Sequence, residues 1–370
     1  MTKAAELAKM GEVLTNSQIG GRRNIVINGA MQVAQRATSV TGLGGDGNTY
    51  NTCDRWHLSC ANTAGRFTMS QAADVHDGFA NALKFDCTTA DTSIAAGEFV
   101  ILTQRFEGQD VQQFKKGSSD AESITVSFYV KGNASATYAL ELFDNDNSRQ
   151  ASQLFSVTTD WTRVIKTFTP DTTGAFDDDN ATSLELNIFL HAGSNLTSGT
   201  LSSTFASNTN ANRAAGISSF FDSTDRTFFI TGVQMEVGEQ ATPFEHRSFG
   251  EELDLCYRYY IKYHAGGSGT FSRMALGFMR TSTNLRALFT YPREMRSTPA
   301  LDDDNAGNYH VEDAGGNSDV DATVASISQG GLQTCLVNFT TGSLTNNDPA
   351  HVGINSSTDS LVGLGFDAEL

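Results

Sequence analysis

The sequence is poor in several residue types that characterise particular kinds of protein. Among 370 residues there are five cysteines, five prolines and two tryptophans, and only 18% of the residues are charged. The cysteines are odd in number and show no C-x-x-C spacing, which argues against a disulfide framework and against a zinc site. We expect them to be small packed hydrophobic residues. They are Cys53, Cys60, Cys87, Cys256 and Cys335.

Basic residues and long apolar runs are also scarce. Lys and Arg number 25 against 42 Asp and Glu, giving a formal net charge of -17. Phosphate contacts need a basic surface, so nucleic acid is not an expected partner. No run approaches the ~18 consecutive apolar residues of a membrane span, and the first residues lack the apolar core of a signal peptide. We therefore expect synthesis in the cytoplasm. We expect no insertion into a membrane.

Phenylalanine and glycine are plentiful, at 24 and 34 residues, and threonine and asparagine are common. This composition argues against disorder and favours short strands joined by polar turns. Alternating apolar and polar residues, without intervening helices, predict a mostly β protein with a jelly-roll β-sandwich over residues 23–247. A polar stretch over residues 193–223 is predicted to be a surface excursion or to pack on a neighbouring subunit. The predicted strands are 25–27, 99–102, 124–130, 138–142, 163–168, 184–190 and 228–235.

A second, smaller domain is predicted after residue 247. Ser248 followed by Glu251 is a capping box, so a helical connector is expected over residues 248–262. The remaining residues, 263–370, are predicted to form a C-terminal antiparallel β-sandwich with long polar turns. Its predicted strands are 274–279, 285–291, 309–312, 324–328, 334–340 and 361–366.

The first residues predict a short helix. Leu7, Met10 and Leu14 recur at spacings of three and four, which puts one narrow apolar stripe on a helix within residues 1–22. A helix of this length is marginal in water without a partner. Two interpretations remain open: the helix packs on its own domain, or it self-associates as a short parallel coiled coil. We expect these three residues to serve oligomerisation and attachment.

Signatures of catalysis are absent from the sequence. It has no G-x-S-x-G elbow, no Walker loop and no H-E-x-x-H, and its seven histidines are scattered. We therefore expect no enzyme, no catalytic residue and no cofactor. Paired carboxylates could still hydrolyse a glycoside, but the acidic clusters 177–179 and 302–304 are more typical of solvated turns.

Metal sites receive little support from the sequence as well. Residues 144–148 begin like a calcium loop, but Arg149 takes the place of the required glycine and Phe155 that of the bidentate glutamate. Asp46, in a glycine-rich turn, leaves a structural calcium as a minor alternative. We expect no metal ligand beyond that.

Aromatic and amide side chains are the remaining chemical resource, because sugars stack on rings and hydrogen-bond to amides and carboxylates. The two tryptophans suit either the core or a sugar platform. Two polar loops of the C-terminal domain combine rings with amides. The predicted glycan-binding residues are Trp56, Trp161, Tyr309, His310, Asn346, Asn347, Asp348 and His351.

Several segments resemble tail-fibre proteins of marine bacteriophages. GGRRNIVINGAMQVAQR at 20–36, DRW at 54–56 and the segment 231–247 resemble a module of those proteins. EELDLCYRYY at 251–260, with 295–299 and 366–370, is similar to the segment that joins this module to a terminal β-domain. Each piece is short, but their combined order covers nearly the whole chain.

The resemblance implies a homotrimeric virion appendage, assembled in the host cytoplasm. Its first sandwich would be like carbohydrate-binding modules, and its last domain would be a distal tip. It also implies binding to host-surface glycans rather than catalysis, and contacts with other tail or capsid proteins. The helix begins at the first methionine, where such fibres often carry an anchor and a shaft, so we expect attachment through the helix and first sandwich. The alternatives are a capsid or tail decoration or adaptor without glycan binding, and a tailspike-type glycan hydrolase.

Overall fold

The computed structural model describes residues 3–4, 23–264, 270–303, 309–314, 320–356 and 362–370. The chain is mostly β, as the sequence predicts. It divides into two compact units, the first containing Thr38–Ser248 and the second containing Gln35–Ala37 and Phe249–Glu369. Leu7, Met10 and Leu14 lie outside the described residues, so their helix and its self-association remain predictions. The predicted domain boundaries also remain predictions.

The first unit contains two antiparallel sheets whose inner faces share one hydrophobic core, as the predicted sandwich requires. Consecutive strands pass repeatedly from one sheet to the other, as in jelly rolls. The six-stranded sheet runs in the order β1 (Ser39–Leu43), β4 (Arg66–Ala72), β5 (Ala82–Thr89), β13 (Thr227–Val237), β7 (Ile124–Gly132) and β10 (Thr162–Phe168).

The seven-stranded sheet provides the opposite wall of this core. Two single-turn 3-10 helices, Gly108–Asp110 and Gln112–Phe114, follow one of its strands. The order of the sheet is β12 (Ala206–Ser207), β9 (Arg149–Val157), β8 (Ala136–Asp144), β11 (Thr182–Ala192), β6 (Phe99–Glu107), β3 (His57–Ala61) and β2 (Gly47–Tyr50).

Alternation along each strand decides which side chains fill the core. In β7, Val126, Phe128 and Val130 are fully buried between the sheets, whereas Tyr129 and Lys131 lie on the other face. This follows from the two-residue period of a strand. All five cysteines are free and buried, which confirms the prediction that they are packed hydrophobic residues.

One prediction for the first unit is wrong, and another holds only in part. Residues 25–27 are not a strand, because the chain turns at Asn28 and Met31, which have φ of 58° and 56°. The stretch 193–223 is not only a surface excursion, since Phe220 and Phe221 at its end are fully buried in the core. Before them the chain forms α1 (Ser194–Thr197), β12 and a 3-10 turn at Asn210–Asn212.

After Ser248 the chain forms a helix, α2 (Phe249–Cys256), which starts where the capping box predicts. The helix is shorter than the predicted connector 248–262, because a strand already begins at Tyr260. The second unit then forms a three-stranded sheet and a closed six-stranded barrel. The sheet contains β14 (Tyr260–His264), β22 (Gly363–Asp367) and β17 (Ala300–Asp303). The barrel runs in the order β15 (Thr270–Thr281), β16 (Asn284–Thr290), β20 (Thr334–Thr341), β19 (Val320–Gly330), β18 (Tyr309–Asp313) and β21 (Pro349–Ser356).

The barrel corrects the predicted C-terminal sandwich. β21 pairs with β15 on one side and β18 on the other, so the sheet closes on itself and has no edge. Phe289, Tyr309 and Phe339 are almost fully buried in its hydrophobic core. Alternation predicts which side chains face inward, but it does not reveal whether the inward face meets a second sheet or closes around itself.

Candidate functional site

The outer face of the six-stranded sheet carries a cluster of aromatic rings, which we call the aromatic surface. The neighbouring strands β13 and β7 and the residue before β10 supply its floor, and two loops supply rings that lie over the floor. Phe229 is 7% exposed, and most of the other rings are partly exposed. The aromatic surface consists of His76, Phe79, Tyr129, Trp161, Phe229, Phe244 and His246.

The loop rings pack closely on Tyr129. His76 stacks on Tyr129 with ring centroids 4.2 Å apart and planes at 21°. Phe79 lies 5.5 Å from Tyr129 and 5.1 Å from Phe244, and Phe244 meets His246 at 4.9 Å. These are ordinary separations for interacting aromatic pairs. The loops therefore extend the ring surface beyond what the strands alone provide.

Gly232 makes this packing feasible. It has φ of +61°, and a Cβ atom there would lie 2.6 Å from the ring of Phe79 and 2.9 Å from the ring of Tyr129. Both the backbone conformation and the close approach of the rings thus favour glycine at this position. The pairing of β13 with β7 also shifts register next to Gly232, as at a β-bulge.

Trp161 lies at the edge of the aromatic surface, immediately before β10. Its ring is 6.1 Å from Phe229 in an edge-on arrangement and 6.5 Å from His76. The indole Nε1 is shielded from solvent and has no hydrogen-bond partner among the described residues. The Nε of Arg163, two residues further along the same face, is likewise shielded from solvent and has no hydrogen-bond partner among the described residues. Unsatisfied buried donors are rare in proteins, so the two N–H groups are unusual features at the edge of the aromatic surface.

Charged groups surround the rings. The ammonium groups of Lys84 and Lys131 each lie 5.6 Å from the centre of the Phe229 ring, and Arg163 lies 5.9 Å from that of Tyr129. Lys131 is also paired with Asp74 at 2.8 Å. The surface thus combines apolar ring faces with donors and acceptors at its margin, as a ligand with both C–H and O–H groups requires.

The structure separates the two predicted tryptophans. Trp56 is fully buried in the sandwich core, and its Nε1 donates to the carbonyl of Asn28 at 3.1 Å. The alternative of a sugar platform at Trp56 is therefore wrong, because no face of its ring reaches solvent. Trp161, in contrast, is partly exposed and belongs to the aromatic surface.

The predicted glycan residues of β18 and β21 do not all lie on the same face of the barrel wall. Tyr309 points into the barrel with no exposed surface, and its hydroxyl donates to Asp303 at 2.7 Å, so its predicted role as a ring platform is wrong. His310, the next residue, lies 3.5 Å from Asp321. His351 is partly exposed on the wall, 3.1 Å from Glu312.

The predicted amide loop forms a turn just before β21. Asn346 and Asn347 are exposed, and Asn347 has φ of 67°. Its backbone N–H donates to the carbonyl of Met279, whose own N–H donates to the carbonyl of Asp348, both at 2.9 Å. These pairings account for the turn without a ligand, and the predicted glycan role of the three residues stays a prediction.

The acidic segments of the sequence have structural partners or face solvent. Asp144, in the calcium-like segment, pairs with the buried ammonium of Lys116 at 2.5 Å, so a cation already neutralises it. Asp46 caps a turn by accepting the N–H of Asn62 at 2.8 Å. Residues 177–179 are exposed, as expected of a solvated turn.

Sequence analysis missed six of the seven rings of the aromatic surface. Two of them had a signal: alternation places Tyr129 opposite the core residues of β7, and in the adjacent pair Phe228 and Phe229 one ring must face outward. The loop rings come from two segments, 76–79 and 244–246, which lie far apart along the chain, so their association depends on the tertiary fold. No helix in the described part of the chain is long and apolar enough to cross a membrane.

No family model and no curated protein matches the chain. Solved structures with some similarity include the carbohydrate-binding module TmCBM61 in complex with β-1,4-galactotriose, with 11% identity and a TM-score of 0.30 over 58% of this chain and 99% of that one. A putative sugar-binding protein from Bacteroides thetaiotaomicron has 11% identity and a TM-score of 0.29, over 58% of this chain and 100% of that one. The CBM22-1 xylan-binding domain of Xyn10C from Paenibacillus barcinonensis has 11% identity and a TM-score of 0.27, over 54% and 99%. What each of them binds is a property of that protein.

Proposed function

We propose that the protein is a non-enzymatic glycan-binding protein that holds a host-surface glycan on the aromatic surface of its first unit. The observation that carries this proposal is the group of partly exposed rings beside the unpaired N–H groups of Trp161 and Arg163. The C–H face of a sugar ring would stack on Trp161 or Tyr129. A small shift of either side chain would bring its shielded N–H group within reach of a hydroxyl oxygen of the sugar.

The biological setting is part of the same proposal and is supported by the sequence resemblance to marine bacteriophage tail fibres. In that setting the protein is a homotrimeric virion component that contacts other tail or capsid proteins and takes part in host adsorption. Three copies per fibre and several fibres per particle would multiply a weak glycan contact through avidity.

The test is binding of the purified full chain to a panel of host-surface polysaccharides and glycans. We expect Trp161→Ala and Tyr129→Ala to weaken binding about tenfold each, equivalent to about 1.4 kcal/mol. The matched control is Ile165→Ala, since Ile165 is 49% exposed on the same face of β10 but outside the ring cluster. It should bind like the wild type.

Three results would overturn the proposal. Full binding by both ring variants would place recognition elsewhere in the chain. Absence of binding to every host glycan, with the protein present in the particle, would favour a structural decoration or adaptor. Shortening of the polysaccharide during incubation would favour the tailspike-type hydrolase.

A further inference from the structure

Three metal-ligating side chains meet in the first unit, away from the aromatic surface. Asp91 follows β5, Glu98 immediately precedes β6, and His191 lies near the end of β11. One ligand atom from each lies within 4.8 Å of the other two. Their residues are 5%, 4% and 0% exposed. The exposed segment 92–97 connects the two acidic residues, so the cluster lies beneath a surface loop.

In the described part of the chain, the carboxylates of the cluster lack a permanently charged partner. Among the described residues, no lysine or arginine pairs with Asp91 or Glu98. Asp91 accepts the backbone N–H groups of Ala64 at 2.8 Å and Ser93 at 3.2 Å, whereas the only partner of the Glu98 carboxylate among the described residues is the imidazole Nε2 of His191, at 3.3 Å. Two carboxylates removed from water require a compensating cation. Elsewhere in this unit, the guanidinium of Arg213 pairs with the buried carboxylate of Glu141 and compensates its charge.

The imidazole is oriented as a metal-binding histidine would be. Its Nδ1 lies 2.8 Å from Oγ of Ser219, which in turn accepts the N–H of Phe221 at 3.0 Å. When Nδ1–H donates to Ser219, the lone pair of Nε2 faces Glu98. A hydrogen bond from the second ring nitrogen commonly orients a metal-binding histidine in this way.

Ser219, His191 and Glu98 also have the order of groups found where a histidine and an acid activate a serine nucleophile. The ring of His191 has no exposed surface, and the Ser219 hydroxyl is held in a turn by the N–H of Phe221. A substrate on the surface therefore does not reach the imidazole. The geometry fits a buried ion better than a reacting group.

We propose that Asp91, Glu98 and His191 bind one divalent transition-metal ion of the zinc class. One imidazole nitrogen with carboxylate oxygens suits Zn²⁺, whereas Ca²⁺ takes six to eight oxygen ligands. Three protein ligands and a water would complete a tetrahedron, whose ligand atoms are about 3.4 Å apart at Zn²⁺ bond lengths. The present ligand atoms lie within 4.8 Å of one another, so they would have to approach by up to about 1.4 Å to reach that size.

The ion would fasten the 92–97 loop to β11. Gly193, two residues after His191, already lies against this loop, because a Cβ atom there would be 2.0 Å from the carbonyl oxygen of Ala95. The backbone N–H of Gly193 donates to the carbonyl of Glu98 at 2.8 Å. Without the ion, the two carboxylates would repel each other under this loop, so metal binding should stabilise the folded chain.

The experiment uses the full chain after treatment with a chelator and gel filtration. In the first measurement, Zn²⁺ is added, free ion is removed, and the bound metal is measured by mass spectrometry. In the second, the melting temperature is recorded in the presence of Zn²⁺, Mn²⁺, Ca²⁺ or chelator. We expect one tightly held Zn²⁺ per chain and a higher melting temperature with Zn²⁺. Glu98→Gln and His191→Gln should each lower the affinity at least tenfold.

The matched control is Glu236→Gln, which changes a carboxylate that is 3% exposed and bonded to Thr242 and Gln234. It should keep the affinity for Zn²⁺. A wild-type melting temperature that is equal in Zn²⁺ and chelator would overturn the proposal, even if the variants failed to fold. Wild-type affinity in both cluster variants, or stabilisation by Ca²⁺ in place of Zn²⁺, would overturn it as well.

Discussion

The two units differ in which rings and charges they leave on their surfaces. The sandwich unit buries charges, such as Lys116 with Asp144 and Asp171, and leaves part of its aromatic side chains on an outer sheet face. The barrel unit places Tyr309 and Phe339 inside and keeps Arg273 and Glu312 on its wall. The difference teaches that ring content alone does not locate a sugar site. What matters is which rings the strand alternation turns outward.

The surfaces that result differ in chemistry. On the barrel wall, Leu276 and Leu288 face each other across β15 and β16 and are 75% and 51% exposed. They line an open cavity of about 470 Å³ together with Tyr263, Arg273 and Met274. Aliphatic side chains lack the flat π face that a sugar ring stacks on. The cavity has one ring, that of Tyr263, against seven on the aromatic surface, so the aromatic surface is the better candidate for the proposed glycan site.

The largest expected effect concerns the buried charges of the sandwich. The Lys116 ammonium lies 2.5 Å from Asp144 and 3.1 Å from Asp171, and its side chain is 2% exposed. Lys116→Met keeps much of the volume but leaves two carboxylates without this cation. We expect the free energy of unfolding to fall by about 3–5 kcal/mol, measured by urea denaturation at pH 7.

The pH dependence of this variant sharpens the test. Burial raises the pKa of Asp171, but hydrogen bonds from Arg149, from the backbone of Thr173 and from Lys116 outweigh it and hold the pKa below its usual range. A lowered carboxylate pKa stabilises the fold above the unfolded value, about 3.9, and this contribution is lost as the pH falls through the folded value. The deficit of Lys116→Met should therefore shrink below about pH 4. A constant deficit down to pH 3 would contradict the charge argument.

The next effect compares the two tryptophans. Trp56→Ala removes a fully buried indole and should cost about 3–5 kcal/mol. Trp161→Ala removes a partly exposed ring with edge contacts and should cost only about 0.5–1.5 kcal/mol. Thermal unfolding of both variants checks this order. Equal losses would mean that Trp161 is also a core residue, and would remove the main support for the glycan surface.

How much the sequence predicts depends on the range of the interaction. Alternation within one strand predicts β7, β11 and the inward direction of their apolar residues, because a strand has a fixed two-residue period. The helix at Phe249 is also predictable, because the capping box that marks its start lies within four consecutive residues. Barrel closure is not predictable in this way, because it depends on β21 pairing with both β15 and β18.

The candidate sites follow the same rule. Trp161 was accessible to sequence reasoning because tryptophan is rare here, but nothing local distinguished it from Trp56. The proposed metal cluster has no sequence signature, since His191 is 93 residues from Glu98 along the chain. A motif with short spacing reveals a site only when one local element supplies the ligands. Here three separate strand ends supply them.

The smallest expected effect concerns the wall of the barrel, where the charges are exposed. The guanidinium of Arg273 lies 2.9 Å from His351 and 3.5 Å from Glu312, with side-chain exposures of 64% for the arginine and 39% for the glutamate. Exposed ion pairs contribute about 0–1 kcal/mol, so Arg273→Met should hardly change the urea midpoint. Glycan binding should also be unchanged in Arg273→Met and His351→Ala, because the sugar is expected on the sandwich. Reduced adsorption of either variant to host cells, at wild-type stability, would move recognition to the barrel wall and reverse the comparison between the two units.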